Sequence, residues 1–225
     1  PGGGAAAMNA ERLLALFEQI SEAPDVMARL RRFILDLAVR GKLVEQDPED
    51  EPAEELLQRL KTAKTLAYEL EGLRKRQPVN SVSRGDLWFD MPADWALPCF
   101  DDLFVIISGV TKGQRITSSE AMEVPYLRVA NVQRGSLDLS QIKTISVRSA
   151  DVERYRLKDQ DILMTEGGDW DKLGRAAIWA GQIPGCIHQN HVFRLRVPTD
   201  ELMPEWVMLY ACLLYTSPSP RDQRG

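Results

Sequence analysis

The chain has 225 residues, 44% of them hydrophobic and 27% charged, with a formal net charge of −5; that is enough for one globular domain plus a helical extension, and the acidity argues against a generic nucleic-acid binder. No run approaches the ~18 consecutive apolar residues of a membrane span, and PGGGAAAM lacks the basic and apolar regions of a signal peptide, so a soluble, cytoplasmic chain with no membrane partner is expected. Cys99, Cys186 and Cys212 are odd in number and widely spaced, which excludes a disulfide framework.

Residues 1–7, PGGGAAA, read as a disordered leader, with Met8 expected to be the true start. Residues 8–77 follow a helical period. Leu13, Phe17 and Ile20 share one face; Val26, Leu30, Phe33, Ile34 and Leu37 share another, between Pro24 in a first turn and Gly41 as a stop. A third helix is expected from Pro52, with Leu56, Leu57, Leu60, Leu70 and Leu73 at helical spacing. It ends among Arg74, Lys75 and Arg76, cations that suit the negative end of a helix dipole.

Residues 78–85 read as a linker. From 86 to about 211 the period changes to short β-type runs separated by turn signals: LFVIISG, VPYLRVANV, LDLSQIKTISV, DILMT, RAAIWAG and HVFRLRV, with one short helix at Ser149 to Tyr155. The spacing suits an antiparallel or mixed sheet better than a doubly wound parallel one. The expected fold class is α+β, an N-terminal helical arm followed by a mainly β domain. A last helix begins at PEWVMLYA from Pro204 and is ended by TSPSP. CLLYTSPSPRD (212–222) resembles the translation of a transposon-end adapter used in sequencing libraries, so residues 212–225 are expected to be a non-native tail on a truncated protein.

No constellation for catalysis stands out. Cys186, His188 and His191 are three candidate ligands in six residues, but alternate strand residues face opposite ways, so His191 would leave the other two, and no CxxC accompanies them. SGVTKGQR lacks the GxxxxGK[ST] order of a P-loop, no GxSxG elbow is present, and no Gly-rich loop for S-adenosylmethionine is found. Asp169, Asp171 and Lys172 in GGDWDK lack a matching upstream acidic motif. No metal and no cofactor are expected on this chain.

The β region instead carries planar and cationic groups at expected loops: Lys112, Arg128, Asn131, Lys172, Arg175, His188, Gln189 and Asn190, with Trp170 between two aspartates. Arg and Lys pair with guanine acceptors, and Asn and Gln can be bidentate to adenine. Residues 108–196 hold 13 basic against 10 acidic side chains, a local positive excess inside an acidic whole. Val192 to Val197 alternate as a strand, Val192, Arg194 and Arg196 on one face and Phe193, Leu195 and Val197 towards the core. His188, Gln189 and Asn190 are expected at its polar mouth, beside the arginines.

RLRRFILDLAVRGKLVEQDPEDEPAEELLQRL (29–60), the Pro92 to Trp95 segment with Leu103 following, VPYLRVANVQRGSLDL (124–139) and GDWDKLGRAAIWAGQIPGCIHQNHVFRLR (168–196) together resemble the specificity subunit of type I restriction-modification enzymes, over roughly Met8 to Ala211. The resemblance implies a non-catalytic subunit whose two target-recognition domains each read half of a bipartite sequence in double-stranded DNA, held apart by long helices. It further implies partners, methyltransferase subunits that modify adenine with S-adenosylmethionine and restriction motor subunits that use ATP and Mg²⁺. Residues 8–77 would then dock the methyltransferase subunits and 86–211 would form one target-recognition domain. Two other readings stay open: a helical protein-interaction module with a β scaffold, and a small metal-dependent nuclease using Asp169, Asp171 and the histidines.

Overall fold

A computed structural model describes residues 25–73, 79, 83–87, 89–113, 115–166 and 174–214. The described parts of residues 1–56 and 82–97 form one compact unit, and those of 57–81 and 98–225 a second.

In the first unit, α1 (Val26–Val39) ends as its sequence directs. Gly41 N–H donates to Ala38 O and Lys42 N–H to Leu37 O, the paired bonds that close a helix over a left-handed residue. A Cβ on Gly41 would also lie 2.3 Å from Pro92 Cγ. Of the apolar positions expected on this helix, Val26 is buried, Leu30, Ile34 and Leu37 are half-buried, and Phe33 is 41% exposed. Arg84 donates to the carbonyls of Pro92, Ala93 and Trp95, and Trp95 Nε1–H donates to Gln46 Oε1 at 2.8 Å. These bonds explain the Pro92 to Trp95 segment as a turn gathered around one guanidinium.

The next helix, α2 (Ala53–Leu70), starts one residue after Pro52 with Glu54 and Glu55 in its first turn, where negative charge suits the helix dipole. It is shorter than its apolar spacing predicts. Gly72 N–H donates to Glu69 O and Leu73 N–H to Tyr68 O, so the helix stops before Arg74, Lys75 and Arg76, which lie outside the described residues. Leu57, Leu60 and Tyr68 are buried in the second unit. There the helix is held by ions: Arg59 to Glu201 at 2.8 Å, Lys61 to Asp102 at 3.7 Å, and Lys64 to both Asp101 Oδ2 and Asp101 O.

The rest of the second unit is built from α3 (Phe100–Leu103), β1 (Val105–Ser108), β2 (Ala121–Leu127), β3 (Lys143–Arg148), α4 (Ser149–Tyr155), β4 (Ile162–Thr165), β5 (Ala176–Ile178), β6 (Ile187–His188), β7 (Val192–Arg196) and α5 (Pro204–Leu214). The strands form an antiparallel sheet in the order β1-β7-β4-β5 and a mixed sheet in the order β3-β2-β6, where β2 and β6 run parallel. The expected α+β class and the expected antiparallel or mixed sheets are therefore what the chain adopts. The two-residue β6 and the one-turn α3 are too short to leave a periodicity, and neither was expected.

Both faces of the four-stranded sheet are covered. Leu163, Ala177 and Val192 join Leu127, Val132, Leu157, Trp179 and Cys186 on one side. Ile162, Ala176 and Leu195 join Phe104, Val207 and Met208 on the other; fully burying one such Ile or Leu is worth about 2 kcal/mol. Burial pushes the Cys186 thiol up to about 12, so it is held as an unreactive core group. Val110, Val124, Tyr126, Val147, Val152 and Ile187 make a third cluster on the smaller sheet.

β7 corrects one expectation. Leu195 does face the core, with Phe193 and Val197 packed beside it, but the face bearing Val192 and Arg194 is buried as well, and Arg194 is 0% exposed. Arg194 Nη1 donates to the carbonyls of Arg154 and Arg156 at 3.3 Å, and its Nη2 lies 3.5 Å from Glu71 Oε2. Arg196 makes two 2.7 Å bonds to Asp161 and approaches Glu71 at 3.7 Å. These arginines are joints between β7 and the end of α2, because both faces of this sheet are covered and neither leaves them a solvent side. They do not flank a polar mouth.

Candidate functional site

Neighbouring strands of the larger sheet alternate in direction, so their ends sort into two sets. Ser108 pairs with Phe193, Thr165 with Val192 and Met164 with Ala176. One end of the sheet is therefore where β1 and β4 finish and β7 and β5 begin, and the segments 109–120, 166–175 and 189–191 all leave from it. By the same alternation, α3, Asp161, Trp179 and Arg196 lie at the other end, where α2 is bound through Asp101, Asp102, Glu201 and, through Glu71, Arg196.

Hydrogen bonds knit the first end together. Val110 N–H donates to His188 O at 2.8 Å, and Asn190 N–H donates to Val110 O at 3.0 Å. Ser108 Oγ–H donates to Asn190 O at 2.7 Å. Glu166 N–H donates to His191 O at 3.1 Å, and Thr165 N–H to Arg175 O at 2.9 Å. Arg175 Nη1 then reaches Gln133 Oε1 at 2.9 Å, bringing in the connection between β2 and β3.

Of the residues singled out in the sequence, Lys112, Arg175, Gln189 and Asn190 are gathered at this end. Lys112 is exposed, with Nζ 5.4 Å from the centre of the Tyr126 ring, a cation–π contact that still leaves the ammonium in water. Gln189 and Asn190 are half-buried. Trp170 and Lys172, with Asp169 and Asp171, fall in 167–173, outside the described residues.

Arg128, Asn131 and His188 hold structure together. Asn131 is 3% exposed; its Oδ1 accepts the Arg128 N–H at 2.9 Å and its Nδ2 donates to Asp138 O and Gln141 O. Arg128 Nη2 donates to Gln141 O at 2.8 Å, closing the same loop. His188 is fully buried, bonded through Nδ1 to Val192 O at 2.6 Å and set edge-on to the Tyr155 ring. Burial, with Arg194 and Arg196 nearby, pushes its imidazole down to about 3, so it is neutral. With Nδ1–H donating to the carbonyl, Nε2 is left as a buried acceptor without a partner among the described residues.

The Cys186, His188 and His191 set does not converge: two are buried while the His191 side chain is 57% exposed. Among the described residues no group of three His, Cys, Asp or Glu could hold a metal ion, and no helix is long and apolar enough to cross a membrane. One residue of this end was missed, Glu166. Its Oε2 lies 2.9 Å from His191 Nδ1, a pairing across 25 positions that no local pattern announces.

Gly109 permits the whole arrangement. A Cβ there would sit 2.0 Å from His188 O and 2.6 Å from Gln189 O, distances at which backbone must move. Gly109→Ala is expected to break the Val110–His188 and Asn190–Val110 bonds and to cost about 3 kcal/mol, the upper part of the usual overpacking range. Amide exchange of Val110 and Asn190 would report it; unchanged protection at both would refute the close approach.

No protein-family model matches the chain. Among curated proteins, it is 26% identical over 213 residues to the Type I restriction enzyme EcoEI specificity subunit of Escherichia coli, covering 89% of this chain and 35% of that protein. It is 31% identical over 166 residues to the EcoAI specificity subunit (70% and 28%), and 23% identical over 210 residues to the EcoKI specificity subunit (92% and 35%), both also from Escherichia coli. The chain thus spans about a third of the length of the curated relatives it matches. Over most of its residues, this chain is homologous to type I restriction enzyme specificity subunits.

Proposed function

We propose that this chain is a DNA-reading part of a specificity subunit: it reads one half of a bipartite site in double-stranded DNA and performs no catalysis. The likeness to specificity subunits over 89% of the chain carries the reading. The fold supports it by where the loops and ion pairs fall. One end of the four-stranded sheet gathers the loops of Lys112, Arg175, Gln189 and Asn190, while α2 is anchored through Asp101, Asp102 and Glu201 at the other end and runs along the sheet until Tyr68 lies beside Ser108 and Gly109.

Lys112, Arg175, Gln189 and Asn190 are the residues we assign to DNA, with Trp170 and Lys172 as further candidates; Arg128, Asn131 and His188 act through the loops they hold. Lys112 suits a phosphate or a guanine edge, and the two amides suit adenine. Leu66 and Leu70, 55% and 78% exposed and four residues apart on α2, are the surface we assign to methyltransferase subunits. Those subunits and the restriction motor subunits would supply S-adenosylmethionine, ATP and Mg²⁺ in the cytoplasm.

Binding of the assembled complex to duplex DNA should weaken as salt rises, because phosphate neutralisation releases counterions. Lys112→Ala is expected to reduce the steepness of that dependence by about one in the log–log slope. Tight binding to random duplex with no loss on adding salt would overturn the proposal.

A further inference from the structure

We propose that Glu166 and His191 determine specificity through Asn190: the three side chains form a hydrogen-bonded relay that fixes which way the Asn190 amide faces, and so selects adenine at one position of the target. This rests on the DNA-reading assignment of the same sheet end.

The relay follows from what each group can donate. A carboxylate only accepts, so with Glu166 Oε2 2.9 Å from His191 Nδ1 the imidazole carries its proton on Nδ1. With that single proton on Nδ1, the ring offers a lone pair at Nε2. Asn190 Nδ2 lies 3.3 Å from it, the one orientation of the amide that puts a donor against that acceptor. Turned the other way, Oδ1 would face a lone pair. The amide is thereby left with one N–H and its carbonyl oxygen for a base edge, and adenine offers N7 as acceptor and N6–H as donor.

The frame beneath the relay is rigid. Asn190 is bonded through its N–H to Val110 O and through its carbonyl to Ser108 Oγ, while His191 O accepts the Glu166 N–H. Three strand ends therefore hold the three side chains in register. The relay also explains a carboxylate at an end that meets polyanionic DNA. The Glu166 side chain is 50% exposed and that of His191 57%; a carboxylate there repels phosphate, a cost that its role in orienting His191 offsets.

The test uses the full-length protein produced with its methyltransferase subunits, with methylated-base sequencing to give the preference at each target position. Asn190→Ala should relax one position at which the wild type requires adenine. Glu166→Ala and His191→Ala should relax that same position, each with about a tenfold loss of discrimination, and Glu166→Gln, whose Oε1 still accepts from Nδ1–H, should restore it. If Asn190→Ala relaxes a position and the Glu166 and His191 variants leave it intact, the relay is refuted while DNA reading stands. If Asn190→Ala changes no position, the assignment of Asn190 to DNA fails first. A relaxed position that requires a base other than adenine refutes the adenine preference. Thermal melting of each variant separates these outcomes from unfolding.

Discussion

Asp161→Ala is expected to destabilise the second unit by about 3–5 kcal/mol, because it strips the partner from a partly buried guanidinium. Asp161 is 1% exposed and its carboxylate accepts three bonds of 2.7 Å, two from Arg196 and one from the Lys158 N–H. Without it, Glu71 would be the one carboxylate among the described residues left to ion-pair with Arg196 and the fully buried Arg194, at 3.7 and 3.5 Å. Desolvation and the charge of Arg196 already push the Arg194 guanidinium down, so the site is one where lost negative charge is felt strongly. The consequence extends beyond the sheet, since Glu71 directly follows α2 and the same arginines tie that helix to β7. The midpoint of urea unfolding measures the effect; a midpoint within error of wild type would show that the ion pairs do not hold the joint.

The second large effect is acid sensitivity at His188. An unfolded histidine titrates near ~6.5, whereas burial holds the folded imidazole down to about 3. Between these values the unfolded chain binds a proton that the folded chain refuses, so stability from this group is full above pH ~6.5 and is lost as pH falls towards 3. The slope is up to about 1.4 kcal/mol per pH unit. His188→Asn removes the titrating group, and although it costs stability at neutral pH, the difference from wild type should shrink steadily as the pH is lowered from 7 to 4. Parallel curves for the two proteins would show that His188 is not a buried neutral base.

Much of the architecture was legible because local chemistry announces it. The helix at Ser149 to Tyr155, the stop at Gly41 and the strand cores DILMT and HVFRLRV follow from period and punctuation. The end of α2 was misread because the apolar spacing continues through Leu73, while two bonds around Gly72 close the helix earlier. For the candidate site, sequence could mark residue types but not exposure. Asn131 and His188 look like ready hydrogen-bonding groups, yet one has both ends of its amide bonded to backbone and the other lies in the core. Arg194 and Arg196 occupy strand positions that would be wet in a one-faced sheet; only the arrival of Glu71 and Asp161 from distant elements makes them joints. The Glu166–His191 pair was invisible for the same reason, since the register of β4 against β7 alone brings the two together.

That the loops at one end of the four-stranded sheet read sequence is tested most directly by mapping methylated adenines in DNA from cells producing the full-length protein with its methyltransferase subunits. Variants at Lys112, Gln189 and Asn190 would be compared with a variant at Leu66 on α2. The expected result is a bipartite motif in which the loop variants alter one half, while the Leu66 variant lowers the extent of methylation and keeps the motif. The absence of a bipartite motif, or one left unchanged by every loop variant, would contradict it.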